Sequence, residues 1–262
     1  MDAVIVGAGP AGCKTAEIIA KAGYDVLVLE EHPEIGKPVQ CTGLVSERIG
    51  KIPEEIIVNR IKKARFYSGG EFFEVKSKKS VYVIDREKFD KYLARKAEEA
   101  KAKFKLRTRF LDFKSGNVIT TVGNYQTKLL VGADGPNSLV AKKSGIKLPD
   151  NILFAVQVCV ESDFEPDVVE LWFGSYIAPN LFAWVVPESS SKARVGLMTN
   201  KNPNIFLEKF LKRRFGNVKT TDRIGDFIRY GLIKKSVANN VLLVGDAACQ
   251  IKPFSAGGIV YG

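Results

Sequence analysis

At 262 residues, with hydrophobic residues at 45% and charged residues at 26%, the chain has the composition of an ordinary globular protein with room for a sizeable core. No apolar run approaches the roughly 18 residues that span a bilayer, and Met1-Asp2 leads straight into a strand pattern without a basic leader, so a cytoplasmic protein, soluble or peripheral, is expected. Forty Lys and Arg against 29 Asp and Glu give +11, but clusters such as Lys62-Lys63 and Lys212-Arg213-Arg214 are short and sit on amphipathic segments, so nucleic acid is not an expected partner.

Residues 3–30 predict a βαβ unit: the apolar strand Ala3-Val4-Ile5-Val6, a glycine turn from Gly7 to Gly12, a helix through Ala22, and a second strand from Asp25 to Glu30. After a loop with Pro33, Gly36 and Pro38, strand-like Ala64–Ser68 and Phe72–Val75 flank Gly69-Gly70 as a hairpin. From Asp85 the period becomes helical, with Phe89, Leu93 and Ala97 on one face, and strand-like segments follow from Phe104 to Val131. Residues 151–199 are β-rich, Pro203 to Phe215 reads as an amphipathic helix, and Val241–Val244 is a short apolar strand. Cys13, Cys41, Cys159 and Cys249 form no CxxC pair, and His32 is the one histidine, so reduced thiols and no metal are expected. His32, in a loop after Glu30-Glu31, is expected to be solvated and without a partner.

Gly7-Ala8-Gly9-Pro10-Ala11-Gly12 joins a strand to a helix, so its glycines can form the turn, admit a pyrophosphate to the backbone and let helix pack on strand. Glu30 ends the second strand at the spacing where a carboxylate accepts from ribose hydroxyls, and it would repel a 2′-phosphate. That combination predicts an adenine dinucleotide and disfavours NADP, leaving NAD and FAD.

Two later segments bear on that choice. Leu129 to Ser138, with Gly132-Ala133-Asp134-Gly135, resembles the Asp-Gly segment of flavoproteins related to aromatic hydroxylases, and Val241 to Ala248, with Gly245-Asp246, resembles their Gly-Asp segment. There a strand ends at Asp246, whose carboxylate can accept from ribityl hydroxyls. A helix is expected to begin at Gly257-Gly258, its N–H groups able to stabilise negative charge on a reduced flavin.

The whole chain resembles the geranylgeranyl reductase family. The carriers are the loop Glu34-Ile35-Gly36-Lys37-Pro38-Val39-Gln40-Cys41-Thr42-Gly43, in which Thr42 intervenes before the family's glycine, the helix start Asp85-Arg86-Glu87-Lys88-Phe89-Asp90, and Phe182-Ala183-Trp184-Val185-Val186-Pro187 with Gly196 beyond. The resemblance implies an α/β fold in which a Rossmann-like FAD-binding domain (1–60, 84–150 and 230–262) is interrupted by a mainly antiparallel β substrate domain (61–83 and 151–229), with a further C-terminal region beyond Gly262. It implies cofactor contacts at Gly7, Gly9, Ala11, Gly12, Glu30, Cys41, Thr42, Leu44, Arg86, Phe110, Asp246, Gly258 and Ile259, and substrate contacts at Phe182, Trp184 and Pro187. Cys41 is the candidate catalytic residue, as the proton donor that complements hydride delivery or as a group holding the alkene.

The implied activity is FAD-dependent reduction of C=C bonds in geranylgeranyl chains, in archaeal-type ether lipid biosynthesis. The implied partners are an isoprenoid lipid, an anionic membrane surface and an electron donor that the sequence does not name. A flavin-dependent monooxygenase or halogenase, and a non-catalytic dinucleotide-binding module, are the alternatives.

Overall fold

A computed structural model of the protein describes residues 1–252 and 254–261. The chain divides into two compact units, one of residues 1–38, 86–151 and 229–262, the other of 39–85 and 152–228. The sequence-based boundary at residue 60 thus moves back to 38. The reason is local pairing: residues 44–46 hydrogen-bond to 81–83, and 57–61 begin the strand that pairs with the same partner.

In chain order the elements begin with β1 (Ala3–Val6), α1 (Pro10–Lys21), β2 (Val26–Leu29), β3 (Leu44–Ser46), β4 (Ile57–Ser68), β5 (Glu71–Ile84) and α2 (Arg86–Glu99). Next come β6 (Lys103–Lys105), β7 (Phe110–Lys114), β8 (Asn117–Thr120), β9 (Gly123–Gln126), β10 (Leu129–Gly132) and α3 (Leu139–Lys143). The rest are β11 (Ile152–Glu161), β12 (Val168–Phe173), β13 (Phe182–Pro187), β14 (Lys192–Thr199), α4 (Pro203–Phe215), β15 (Thr220–Arg229), β16 (Val237–Ala238) and β17 (Val241–Leu243).

The first unit is built on a sheet in the order β16-β17-β10-β1-β2-β6, parallel except at the β16 edge. Its central strands are apolar on both faces because both are covered. On one side Ile5, Val28 and Val131 pack with Cys13, Ala16 and Ala20 of α1 and Ala94 and Ala97 of α2. On the other, Val4, Leu29 and Leu130 meet Phe110 and Val118 of the small β7-β8-β9 sheet and Val140 of α3.

The second unit carries an eight-stranded sheet in the order β15-β11-β14-β13-β12-β4-β5-β3, in which the pairs from β11 through to β3 are antiparallel except where β12 lies parallel to β4. Strand alternation gives it two different faces. Val156, Val158, Val185, Val195 and Leu197 pack beneath Leu207 and Phe210 of α4. Phe66, Phe73, Phe173, Phe182 and Trp184 make a row of ring contacts on the other face, with neighbouring centroids 4.9 to 6.3 Å apart. The β4–β5 hairpin runs well beyond the two short strands expected, because Lys76-Ser77-Lys78-Lys79-Ser80 of β5 and Asn59, Arg60, Lys62 and Lys63 of β4 interrupt any apolar run there.

Among the described residues no helix begins at Gly257-Gly258. Residues 259–261 form a turn in which the Tyr261 N–H donates to the Gly258 carbonyl at 2.8 Å, and Gly262 lies outside the described residues.

Candidate FAD site and substrate face

The glycine turn leaves β1 at its carboxyl end and runs into α1, which begins at Pro10 with Gly9 as N-cap and no side chain capping it. Its three glycines have different physical reasons. Gly7 has φ +103°, and a Cβ there would lie 2.3 Å from the Ala133 carbonyl oxygen. A Cβ on Gly12 would stand 2.0 Å from the Gly7 oxygen, so helix and strand can approach this closely only without a side chain. Gly9 faces open space, with nothing within 4 Å of where its Cβ would be. An uncapped helix N-terminus with a bare backbone at its mouth fits a pyrophosphate.

Glu30 follows β2 and points back at this turn: its Oε2 accepts from the Ala8 N–H at 2.8 Å. Its Oε1 accepts from the His32 N–H at 3.0 Å and lies 2.6 Å from His32 Nδ1. His32 is therefore partnered, contrary to the solvated loop residue expected. β17 ends at Leu243, three residues short of Asp246, and after Val244 the chain makes a 3-10 turn over Gly245–Ala248 that carries Asp246. Gly245 has φ +64°, with a Cβ there falling 2.7 Å from the Ala11 methyl, and a Cβ on Gly258 would lie 2.6 Å from Asp246 Oδ1. Gly7, Gly9, Ala11, Gly12, Glu30, Asp246 and Gly258 are thus gathered at the carboxyl ends of β1, β2 and β17, where open parallel sheets bind their ligands. Ile259 follows, half-buried.

Two further expected contacts have partners within the chain. Phe110 is 3% exposed, its ring committed to the core under the sheet. Arg86, at the start of α2, binds Asp90 through Nε at 3.2 Å and Nη2 at 3.1 Å. Burial holds the Asp90 carboxyl above the usual carboxylate range despite that guanidinium. Asp134 serves the local fold: it accepts from Ser138 Oγ at 2.6 Å and the Val140 N–H at 3.0 Å, fastening the start of α3. Burial pushes the thiols of Cys13, Cys159 and Cys249 up, in keeping with inert packing roles.

In the second unit, Cys41, Thr42 and Gly43 form a loop ahead of β3, whose first residue is Leu44. The Gly43 N–H donates to Cys41 Sγ at 3.3 Å, and the Gly43 carbonyl accepts from Ile84 N at 2.8 Å. Arg194 of β14 donates to the Thr42 carbonyl and, at 3.0 Å, to that of Ile84. Thr42 Oγ1 donates to Gln157 Oε1 at 2.7 Å, and the same oxygen accepts from Trp184 Nε1 at 3.2 Å. Gln157 is buried, and nothing in the sequence marked it; its role comes from strand register, which sets it opposite Gly196 and Gly196 opposite Trp184. Phe182 and Trp184 are edge-on at 6.3 Å. Pro187 ends β13, its carbonyl accepting from Asn59 Nδ2 at 2.8 Å.

A parallel sheet with a bare glycine turn, a carboxylate at the end of its second strand and a Gly-Asp turn after its last strand defines a dinucleotide-binding flavoprotein. Known proteins narrow this further. Residues 1–261 match the FAD binding domain family. The chain is 33% identical to digeranylgeranylglycerophospholipid reductase of Methanosarcina acetivorans, over 99% of this chain and 71% of that one, and 31% identical to the protein of the same name from Methanocaldococcus jannaschii, over 98% and 73%. A geranylgeranyl bacteriochlorophyll reductase-like protein of Thermoplasma acidophilum superposes with a TM-score of 0.92 at 29% identity, covering 99% of this chain and 74% of that one. The chain belongs to the FAD-dependent geranylgeranyl reductase family. Its cofactor is FAD, it is an oxidoreductase, and the α/β architecture expected from the sequence is the one observed. Among the described residues no helix is long and apolar enough to cross a membrane, and no group of His, Cys, Asp or Glu is placed to hold a metal ion.

Proposed function

We propose that this protein reduces isolated C=C bonds of geranylgeranyl chains on archaeal ether-lipid precursors, with residues 39–85 and 152–228 as the substrate domain and Cys41 as proton donor. The observation that carries the proposal is the shared oxygen of Gln157, which ties the Cys41-Thr42-Gly43 loop to the indole of Trp184 inside an aromatic sheet face. Saturating an alkene takes one hydride and one proton. Bound FAD, once reduced by an electron donor, supplies the hydride in such reductions. The chain's own task is to hold a flexible apolar chain against aromatic side chains, keep water out and deliver a proton to the second carbon. Phe182 and Trp184 suit the first two tasks, being apolar and almost wholly buried. Cys41 Sγ suits the third: it sits in a half-buried loop held by three separate strands, and the thiolate left behind can regain a proton from solvent.

Lipid precursors lie in bilayers, and an anionic membrane surface is the partner this reading adds. Phe72, Phe73 and Val75 are about half exposed on β5, ahead of Lys76, Lys78 and Lys79, on a chain of net charge +11. The test is Cys41→Ser assayed with a geranylgeranyl glycerophospholipid in vesicles. FAD occupancy should match wild type while turnover falls about 10²-fold; a variant with wild-type turnover removes the thiol from the reaction. Sedimentation with neutral and anionic vesicles checks the surface, and equal partitioning refutes it.

A further inference from the structure

The ribose carboxylate is not left to find its own orientation. A carboxylate offers about four lone-pair positions. On Glu30 three are taken, one on Oε2 by the Ala8 N–H at 2.8 Å and two on Oε1 by the His32 N–H at 3.0 Å and His32 Nδ1 at 2.6 Å. Because a carboxylate only accepts, Nδ1 carries the proton in this contact. The histidine is itself anchored: its carbonyl accepts from the Arg107 N–H at 3.1 Å, and the Glu30 carbonyl accepts from Thr108 N at 2.8 Å, so residues 30–32 are stitched to the stretch after β6. Only the imidazole, with its side chain 43% exposed, adds a grip that backbone alone does not give.

We propose that His32 is a positioning residue for the cofactor's adenosine, locking the Glu30 carboxylate so that one acceptor position, on Oε2, is presented to a ribose hydroxyl. This rests on Glu30 as the ribose acceptor. Without the imidazole the glutamate regains rotamer freedom that ligand binding must remove again. The two backbone donors, Ala8 N–H on Oε2 and His32 N–H on Oε1, remain, but the 2.6 Å imidazole contact that clamps Oε1 is lost and the carboxylate is held less firmly.

The experiment uses the full chain stripped of FAD and titrated calorimetrically with ADP and with 2′,3′-dideoxy-ADP, which lacks the ribose hydroxyls. Wild type should bind ADP more tightly than the dideoxy nucleotide. His32→Ala should weaken ADP about tenfold, the equivalent of one hydrogen bond of about 1.4 kcal/mol, and leave the dideoxy affinity unchanged. His32→Asn, which keeps an N–H donor at the δ position, should restore ADP binding to within about threefold. Equal losses for both nucleotides would show that His32 serves only the fold, and the proposal falls. Tighter ADP binding by His32→Ala would overturn it too, since the imidazole would then be competing with the ribose, as would an asparagine variant no better than alanine. Wild type that fails to distinguish the two nucleotides would remove Glu30 as ribose acceptor and His32 with it, a result separable from the others because it appears before any substitution is made.

Discussion

Gly196→Ala is the sharpest mechanical test of the aromatic face. A methyl at this position would stand 2.5 Å from Trp184 Cζ2, 2.7 Å from Trp184 Cε2 and 2.6 Å from the Val156 carbonyl oxygen. The indole could tilt away, but the carbonyl belongs to the neighbouring strand and cannot move without parting β11 from β14. Overpacking a tight core costs about 1–3 kcal/mol, and a clash with two ring atoms and a backbone oxygen belongs at the upper end. For a chain of this size each kcal/mol lowers the melting temperature by about 2–4 °C, so a drop of about 6–12 °C is expected. Tilting the indole also lengthens its 3.2 Å bond to Gln157, so Trp184 emission, read in a Trp172→Phe background, should shift to the red. Trp184→Phe has neither of the clashing ring atoms. Combined with Gly196→Ala it should recover part of the loss, giving a coupling of about 1 kcal/mol or more, while the Val156 contact keeps the recovery incomplete. A Gly196→Ala protein that melts within 2 °C of wild type with unchanged emission would refute the close-packing argument.

The glycine turn separates fold from cofactor binding. Gly12→Ala should abolish a folded first unit, seen as loss of cooperative melting, because its Cβ meets a backbone oxygen at 2.0 Å; Gly9→Ala should melt like wild type and lose FAD, since its Cβ fills only the open space offered to the pyrophosphate. A Gly9→Ala protein that purifies with full flavin content would sink that distinction. Burial raises the Asp134 carboxyl above its ordinary 3.8, so the stability it contributes is fully present below that value and is lost as pH rises through the folded value. The melting temperature of wild type relative to Asp134→Asn should therefore be higher at pH 4 than at pH 7, and the opposite order in paired melts would refute the direction.

What could be read from the sequence was what is local. The βαβ unit, the glycine turn and α4 (Pro203–Phe215) stand where pattern and capping residues put them, because each signal spans only a few neighbouring residues. The β4–β5 hairpin was under-read, since a two-stranded ribbon half exposed to water needs no apolar run to persist once strands on both sides pair with it. Gln157 was invisible because one glutamine on a strand has no motif; only the register across three strands brings it under Trp184 and Thr42. His32 was misjudged although its partner lies two residues earlier, because the backbone bend that folds the imidazole back onto Glu30 depends on pairing with residues 105–108. Phe110 is expected from spacing alone, and its ring packs in the core beneath the sheet.

The strand order of the first unit also dictates when that unit can be finished. β10 lies between β1 and β17, so one edge of it stays unpaired until residues 241–243 have been made, more than a hundred residues after Gly132. At 5–20 residues per second the ribosome takes roughly 5–20 s over that interval, during which β11 to β15 of the eight-stranded sheet are synthesised and an apolar strand edge stands open. A growing chain must therefore guard its nucleotide fold while β11 to β15 emerge, which makes Val241–Leu243, three residues long, the strand that covers the open edge of β10.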